Sequence, residues 1–165
     1  MAGPTFRTTW KMAFKTIFFA GFIAASLDIL AAITVYAIIR QKTTTLKILQ
    51  SIASAVFGNA AYEGGVEMSL YGLCFHFFIA FCFAAAYFFA FPYIPFFRKH
   101  TIISGVLYGG LVWLIMNLVV LPIAFKRSPS FAWDGAFTGI IILILAVGLP
   151  ISFITHSRYK KYRAY

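Results

Sequence analysis

The chain has 165 residues, of which 62% are hydrophobic and only 11% charged, with a mean hydropathy of +0.88. That is too little polar surface to cover a soluble globule of this size, so the composition excludes a water-soluble domain. The formal net charge of +10 would suit nucleic acid, but the bases stand at the ends of apolar runs, which excludes a nucleic-acid-binding face and reads as membrane topology.

A membrane-spanning helix needs about 20 mainly apolar residues. The first such run is 16–39, preceded by Arg7, Lys11 and Lys15. It is longer than the roughly 7 to 15 residues of a signal-peptide core, and no exported domain follows, so a retained span is expected. Within it stands Asp28, in the stretch AASLDILAA. A carboxylate at mid-depth costs at least about 2.5 to 3.5 kcal/mol, so it requires a partner, a proton or a task. Gly21, Ala24, Ala25, Asp28, Ala31 and Ala32 recur at helical spacing and form one small-residue stripe. In lipid, small residues mark where helices approach closely, so this stripe should face the bundle interior.

Between the first and second spans lies TTTLKILQSIASAVFGNAAYEGG. Its threonines suit a helix N-cap, Leu46, Leu49, Ile52, Ala53 and Val56 repeat at helical spacing, and Gly58 and Asn59 end the pattern. The segment is too short to span, so an interfacial or re-entrant helix is expected. Glu63 and Glu67 bracket Gly64 and Gly65 at its end. With Asp134 they would surround an outer mouth, the alternative being a connector with solvated acids.

The second span, 70–91, carries Gly72, His76, Ala80 and Ala84 at successive i+4 positions, with Tyr87 below them. An aromatic turn around Pro92 and Pro95 leads to the third span, 102–125, where Gly105 and Gly109 form a GxxxG motif followed by Trp113 and Asn117. The fourth, 132–154, opens on a second GxxxG, Gly135 and Gly139. Gly21, Ala24, Ala25, Gly72, Gly105, Gly109, Gly135 and Gly139 are thus the expected packing positions. The fold expected is all-α: one polytopic membrane domain over 1–165, a four-helix bundle with one short extra helix.

Four spans place both termini and the turn between spans two and three on one side. That side holds nine Lys and Arg and the other five, so both termini are expected in the cytoplasm. By helical rise, Asp28 lies about 18 Å from the outer end of its span, His76 about 10 Å and Asn117 about 13 Å. Tilt or one water would bridge the difference, so Asp28, His76 and Asn117 are the expected intramembrane polar site, with Glu63, Glu67 and Asp134 nearer its mouth. The same three could instead serve as interhelical hydrogen-bond glue, worth roughly 0.6 to 2 kcal/mol per pair. The basic tail HSRYKKYRAY suits anionic lipid on the cytoplasmic side at about 1 kcal/mol per charge.

Other chemistry finds no support. Cys74 and Cys82 lie about 12 Å apart along one helix, beyond disulfide reach. Two thiols and three scattered histidines match no zinc spacing, and two facing imidazoles for haem are missing. There is no GxSxG, HExxH or Walker A motif, so neither an enzyme nor a cofactor is expected.

The run GLCFHFFIAFCFAAAYFFAFPYIP, a basic turn, and GVLYGGLVWLIMNLVVLP resemble the second and third spans of small bacterial inner-membrane proteins of the YagU-like kind. The resemblance implies a four-span protein of the bacterial inner membrane and supplies no activity. Two functional classes follow: a proton-responsive or small-solute transport-related protein, or a structural accessory subunit docked on a membrane partner or a second copy.

Overall fold

The computed structural model describes residues 10–125 and 133–163. Six helices are described: α1 (Trp10–Ile39), α2 (Thr45–Phe57), α3 (Gly65–Ala90), α4 (Pro95–Lys99), α5 (Thr101–Phe125) and α6, which runs from Trp133 to Arg163. The described residues contain no strand. Four helices, α1, α3, α5 and α6, are long and apolar enough to cross a bilayer, and the chain is a small integral membrane protein of the four-helix-bundle class. α1 and α6 extend beyond their apolar runs, because flanking lysines stay helical while their ammonium groups reach the interface. Lys11 and Lys15 sit in the first turns of α1, and α6 carries the basic tail as far as Arg163.

The bundle is not evenly closed. α1 packs on α3 along one side and on α6 along the other, and α5 packs on α6. The GxxxG motif of α5 is the closest contact of that last pair. A side chain at Gly105 would meet Leu149 and the Gly148 carbonyl, one at Gly109 would meet the Ile144 Cα at 2.5 Å, and one at Gly148 would meet Gly105 and Gly109 in turn. Backbone here lies on backbone, as small-residue seams in lipid allow.

Three helices widen locally to π-turns: Ile33–Ile39 in α1, Met116–Val120 in α5 and Ile144–Gly148 in α6. Two of them stand just before a proline, Pro122 and Pro150. A helical proline removes one N–H and crowds the carbonyl four residues back, and the wider turn relieves both. In α6 the same widening presents Gly148 to α5.

At the end bearing the termini, α3 and α5 are tied through Tyr87, Tyr108 and Ser104, and the buried core of Ala20, Ala24, Ala84, Tyr87, Phe88, Val112, Val147 and Ile151 gathers there. At the opposite end they diverge and α2 fills part of the gap. Thr44 caps α2 by accepting from the Lys47 amide at 3.3 Å, and Gly58 ends it with φ of 61°. α2 lies along the first turns of α3, where Ser69 Oγ donates to the Leu46 carbonyl at 3.3 Å and Gln50 Nε2 to the Gly65 carbonyl at 3.0 Å. Gly72 abuts Leu49 and Ala53 of α2, about 10 Å below the start of α3 by helical rise. Gly72 therefore packs as expected, but against the short helix and not within the four-span bundle.

Two packing expectations need correction or refinement. Gly135 has nothing among the described residues within 4 Å of where a Cβ would stand, so the first glycine of the second GxxxG is no contact point among them. Gly139 meets only the indole of Trp113, whose Nε1 lies 3.1 Å from where its Cβ would be. Gly21, Ala24 and Ala25 are buried against α3, with the Phe81 ring over Gly21.

Candidate functional site

The small-residue stripe of α1 and that of α3 face each other, and this brings the ionisable side chains together. His76 Nε2 lies 3.9 Å from Asp28 Oδ2 and 3.0 Å from the backbone oxygen of Ala25, one turn earlier on α1. A carbonyl oxygen only accepts, so Nε2 carries the proton and donates to Ala25. The separation from Asp28 exceeds hydrogen-bond length, and a movement of about 1 Å would close it. Nε2–H thus stands between two oxygen-bearing groups on one face of α1, the Ala25 carbonyl and the Asp28 carboxyl. The side chains are 14% exposed for His76 and 21% for Asp28, so the pair is enclosed without being sealed.

Near the pair, the described residues of α3 and α6 add no other acidic or basic side chain by sequence position. α6 contributes none between Gly135 and Thr155, and on α3 the nearest acid, Glu67, lies nine residues before His76, about 13 Å along the axis. Phenylalanines flank the seam: Phe22 meets Phe77 at 5.5 Å between ring centres, and Phe18 stacks on Phe81 at 5.8 Å.

The third expected member stands differently. Asn117 lies in the π-turn of α5, and its Nδ2 donates to the Trp113 carbonyl at 2.9 Å, four residues back on the same helix. Its amide is engaged at home, and α5 packs chiefly on α6. Glu63 and Glu67 are exposed, Glu63 at the end of a short 3-10 turn over Gly58–Tyr62 and Glu67 in the first turn of α3. Asp134 begins α6, but its side chain lies outside the described residues. The C-terminal end of α1 is tied to α6 instead by Arg40, whose Nη2 donates to Thr138 Oγ1 at 2.6 Å.

A second polar cluster stands apart from the expected site. Tyr87, Ser104 and Ser152, from α3, α5 and α6, are all fully buried. Tyr87 Oη lies 3.0 Å from Ser104 Oγ and 2.8 Å from Ser152 Oγ, and the two serine oxygens are 3.0 Å apart. Both serines also approach the Thr101 carbonyl, at 2.9 and 2.7 Å. Three hydroxyl protons face five such separations, so at most three are hydrogen bonds at once and the protons are shared within the ring. Tyr108 Oη donates to the Phe83 carbonyl at 2.6 Å beside it. This knot joins three spans and contains no charge, which fits a structural role.

The described residues hold no group of three or more histidine, cysteine or acidic side chains able to bind a metal. Cys74 and Cys82 are free and exposed on α3. The chain matches no protein family, no curated protein and no solved structure.

Proposed function

We propose that this integral membrane protein is proton-responsive, with Asp28 and His76 as its sensing pair and a role connected to small-solute transport. The observation that carries the reading is the 3.9 Å approach of His76 Nε2 to Asp28 Oδ2 between two spans. Imidazole is the side chain whose charge ordinarily changes between about pH 5 and 8. A second proton on the ring turns a neutral donor into a cation facing a carboxylate, and attraction then favours closing the remaining gap. In this reading both termini lie in the cytoplasm of a bacterial cell and the pair sits toward the outer side.

The test is a distance measurement in the reconstituted protein. With Cys74 and Cys82 replaced by serine, spin labels at the exposed positions Ile38 and Leu70 report the outer ends of α1 and α3. The interspin distance should change between neutral and mildly acidic pH, and Asp28→Asn should remove the change. A distance that stays constant across that range makes the pair simple interhelical glue. The accessory-subunit reading then takes its place, favoured by an apolar groove of about 790 Å³ between α2, α3 and α5. Phe75, Phe78, Ile79, Met116 and Val120 line that groove, which a partner's transmembrane helix would fill.

A further inference from the structure

At the end of the bundle bearing the termini, a cavity of about 150 Å³ opens between the turn that joins α3 to α5 and the last turns of α6. Phe91, Arg98, His156, Tyr159 and Lys160 line it. We propose that this cavity binds the phosphate group of an anionic phospholipid from the adjacent leaflet. The site is separate from the Asp28–His76 pair, and the proposal does not depend on it.

Charge is the first argument. Two cationic side chains, Arg98 and Lys160, converge with the His156 imidazole on one small hollow from two distant stretches of chain, and like charges converge at a cost unless something negative lies between them. No acidic side chain stands at this end among the described residues: Asp28 lies within α1, and Glu63, Glu67 and Asp134 belong to the opposite end. An anion from outside would balance these cations, and at this depth the abundant anion is a lipid phosphate.

Shape and rigidity are the second. The floor is aromatic and fixed. Phe91 and Tyr159 pack with ring centres 4.7 Å apart, Tyr159 also contacts Phe88 at 5.2 Å, and both Phe91 and Tyr159 are almost fully buried. His156 stands edge-on to Phe91 at 6.1 Å, which holds its imidazole in the wall. The cavity's volume matches about five water molecules at ~30 Å³ each, enough for a phosphate group and too little for a glycerol backbone with its chains. A rigid apolar floor beneath a basic rim suits a phosphate whose chains continue outward into the bilayer.

An unmet polar atom is the third. His156 Nδ1 is buried and has no hydrogen-bond partner among the described residues. Buried ring nitrogens are ordinarily satisfied, so this one leaves an open hydrogen-bonding position on a residue that lines the hollow.

The experiment uses the full-length protein in mild detergent doped with phosphatidylglycerol or with phosphatidylcholine, and reads retained lipid by native mass spectrometry. Phosphatidylglycerol should be retained in preference to phosphatidylcholine, whose quaternary ammonium would face the same cations. Arg98→Gln and Lys160→Gln should each weaken retention about fivefold, the equivalent of about 1 kcal/mol per basic contact, and the double variant about 25-fold. Lys161→Gln removes the same charge one residue away, on a side chain that does not line the cavity. It should leave retention unchanged. Equal losses from Lys160→Gln and Lys161→Gln would mean diffuse attraction to the basic tail and overturn the site. Inorganic phosphate alone supplies the remaining arm: if it raises the thermal midpoint in an Arg98-dependent manner while phosphatidylglycerol is not retained, the cavity takes free phosphate and the lipid assignment falls. Arg98 is half-buried and Lys160 and Lys161 are exposed, so each variant should fold.

Discussion

Gly109→Val should destabilise the bundle by about 3 kcal/mol, enough to lower the yield of folded protein sharply. The added Cβ would stand 2.5 Å from the Ile144 Cα and 2.9 Å from the Leu143 carbonyl oxygen, and a backbone cannot rotate away as a side chain can. The helices would have to separate, and the contact of Gly148 with Gly105 and Gly109 would open with them. Its neighbour is the control. Gly110 has nothing within 4 Å of its missing Cβ, so Gly110→Ala should be neutral or stabilising by up to about 1 kcal/mol from helix propensity. Thermal unfolding in detergent followed by size-exclusion recovery measures both. Equal effects from the two substitutions would show that α5 does not rest on α6 through Gly109.

Tyr87→Ala should rank next, at about 2 to 3 kcal/mol, less than the usual loss of about 3 to 5 kcal/mol for a buried aromatic. The ring is fully buried, stacked on Phe97 at 4.9 Å and edge-on to Tyr108 at 4.8 Å. Its removal leaves a cavity at the junction of three spans. Part of the usual loss is transfer from water, which does not apply when the separated helices remain in lipid. Tyr87→Phe keeps the ring and removes one hydroxyl, while Ser104 and Ser152 retain the Thr101 carbonyl, so about 0.6 to 1.7 kcal/mol is expected. A Phe variant as unstable as the Ala variant would place the stability in the hydroxyl ring and not in the aromatic packing. Thermal midpoints of the two proteins decide between them.

Hydropathy alone made the four spans legible, because a bilayer allows few alternatives to an apolar helix of the right length. The convergence of Asp28 and His76 was legible too, since each stands on a small-residue stripe and such stripes meet. What the pattern cannot carry is the identity of the surface opposite. Gly72 belongs to the same i+4 series as His76, yet it serves α2, because a short helix lying along α3 leaves no periodic mark on it. The GxxxG of α5 found its seam, but its counterpart is Gly148, in a π-turn set by Pro150, and not the second GxxxG motif. Asn117 stands out as a polar residue in an apolar run, but an asparagine can spend its amide on its own helix, and the wider π-turn at 116–120 gives it room. The Tyr87, Ser104 and Ser152 ring is hard to read for the opposite reason. Serine in a spanning helix is inexpensive, and three hydroxyls on three helices signal nothing until the fold assembles them. A usable hint was present in Ser104 and Tyr108, which flank the buried glycines of α5 at i+4 spacing.

The central claim is that Asp28 and His76 act as one proton-dependent unit, and a double-mutant cycle tests it most directly. Wild type, Asp28→Asn, His76→Gln and the double variant are compared by thermal stability in detergent at neutral and at mildly acidic pH. At neutral pH the ring donates to the Ala25 carbonyl and the carboxylate stands 3.9 Å away, so the two substitutions should be close to additive. A proton taken up by the pair on acidification should bring out a coupling energy of about 0.5 kcal/mol or more. Additive effects at both pH values would contradict the account and leave the pair as two separate contacts in a helix seam.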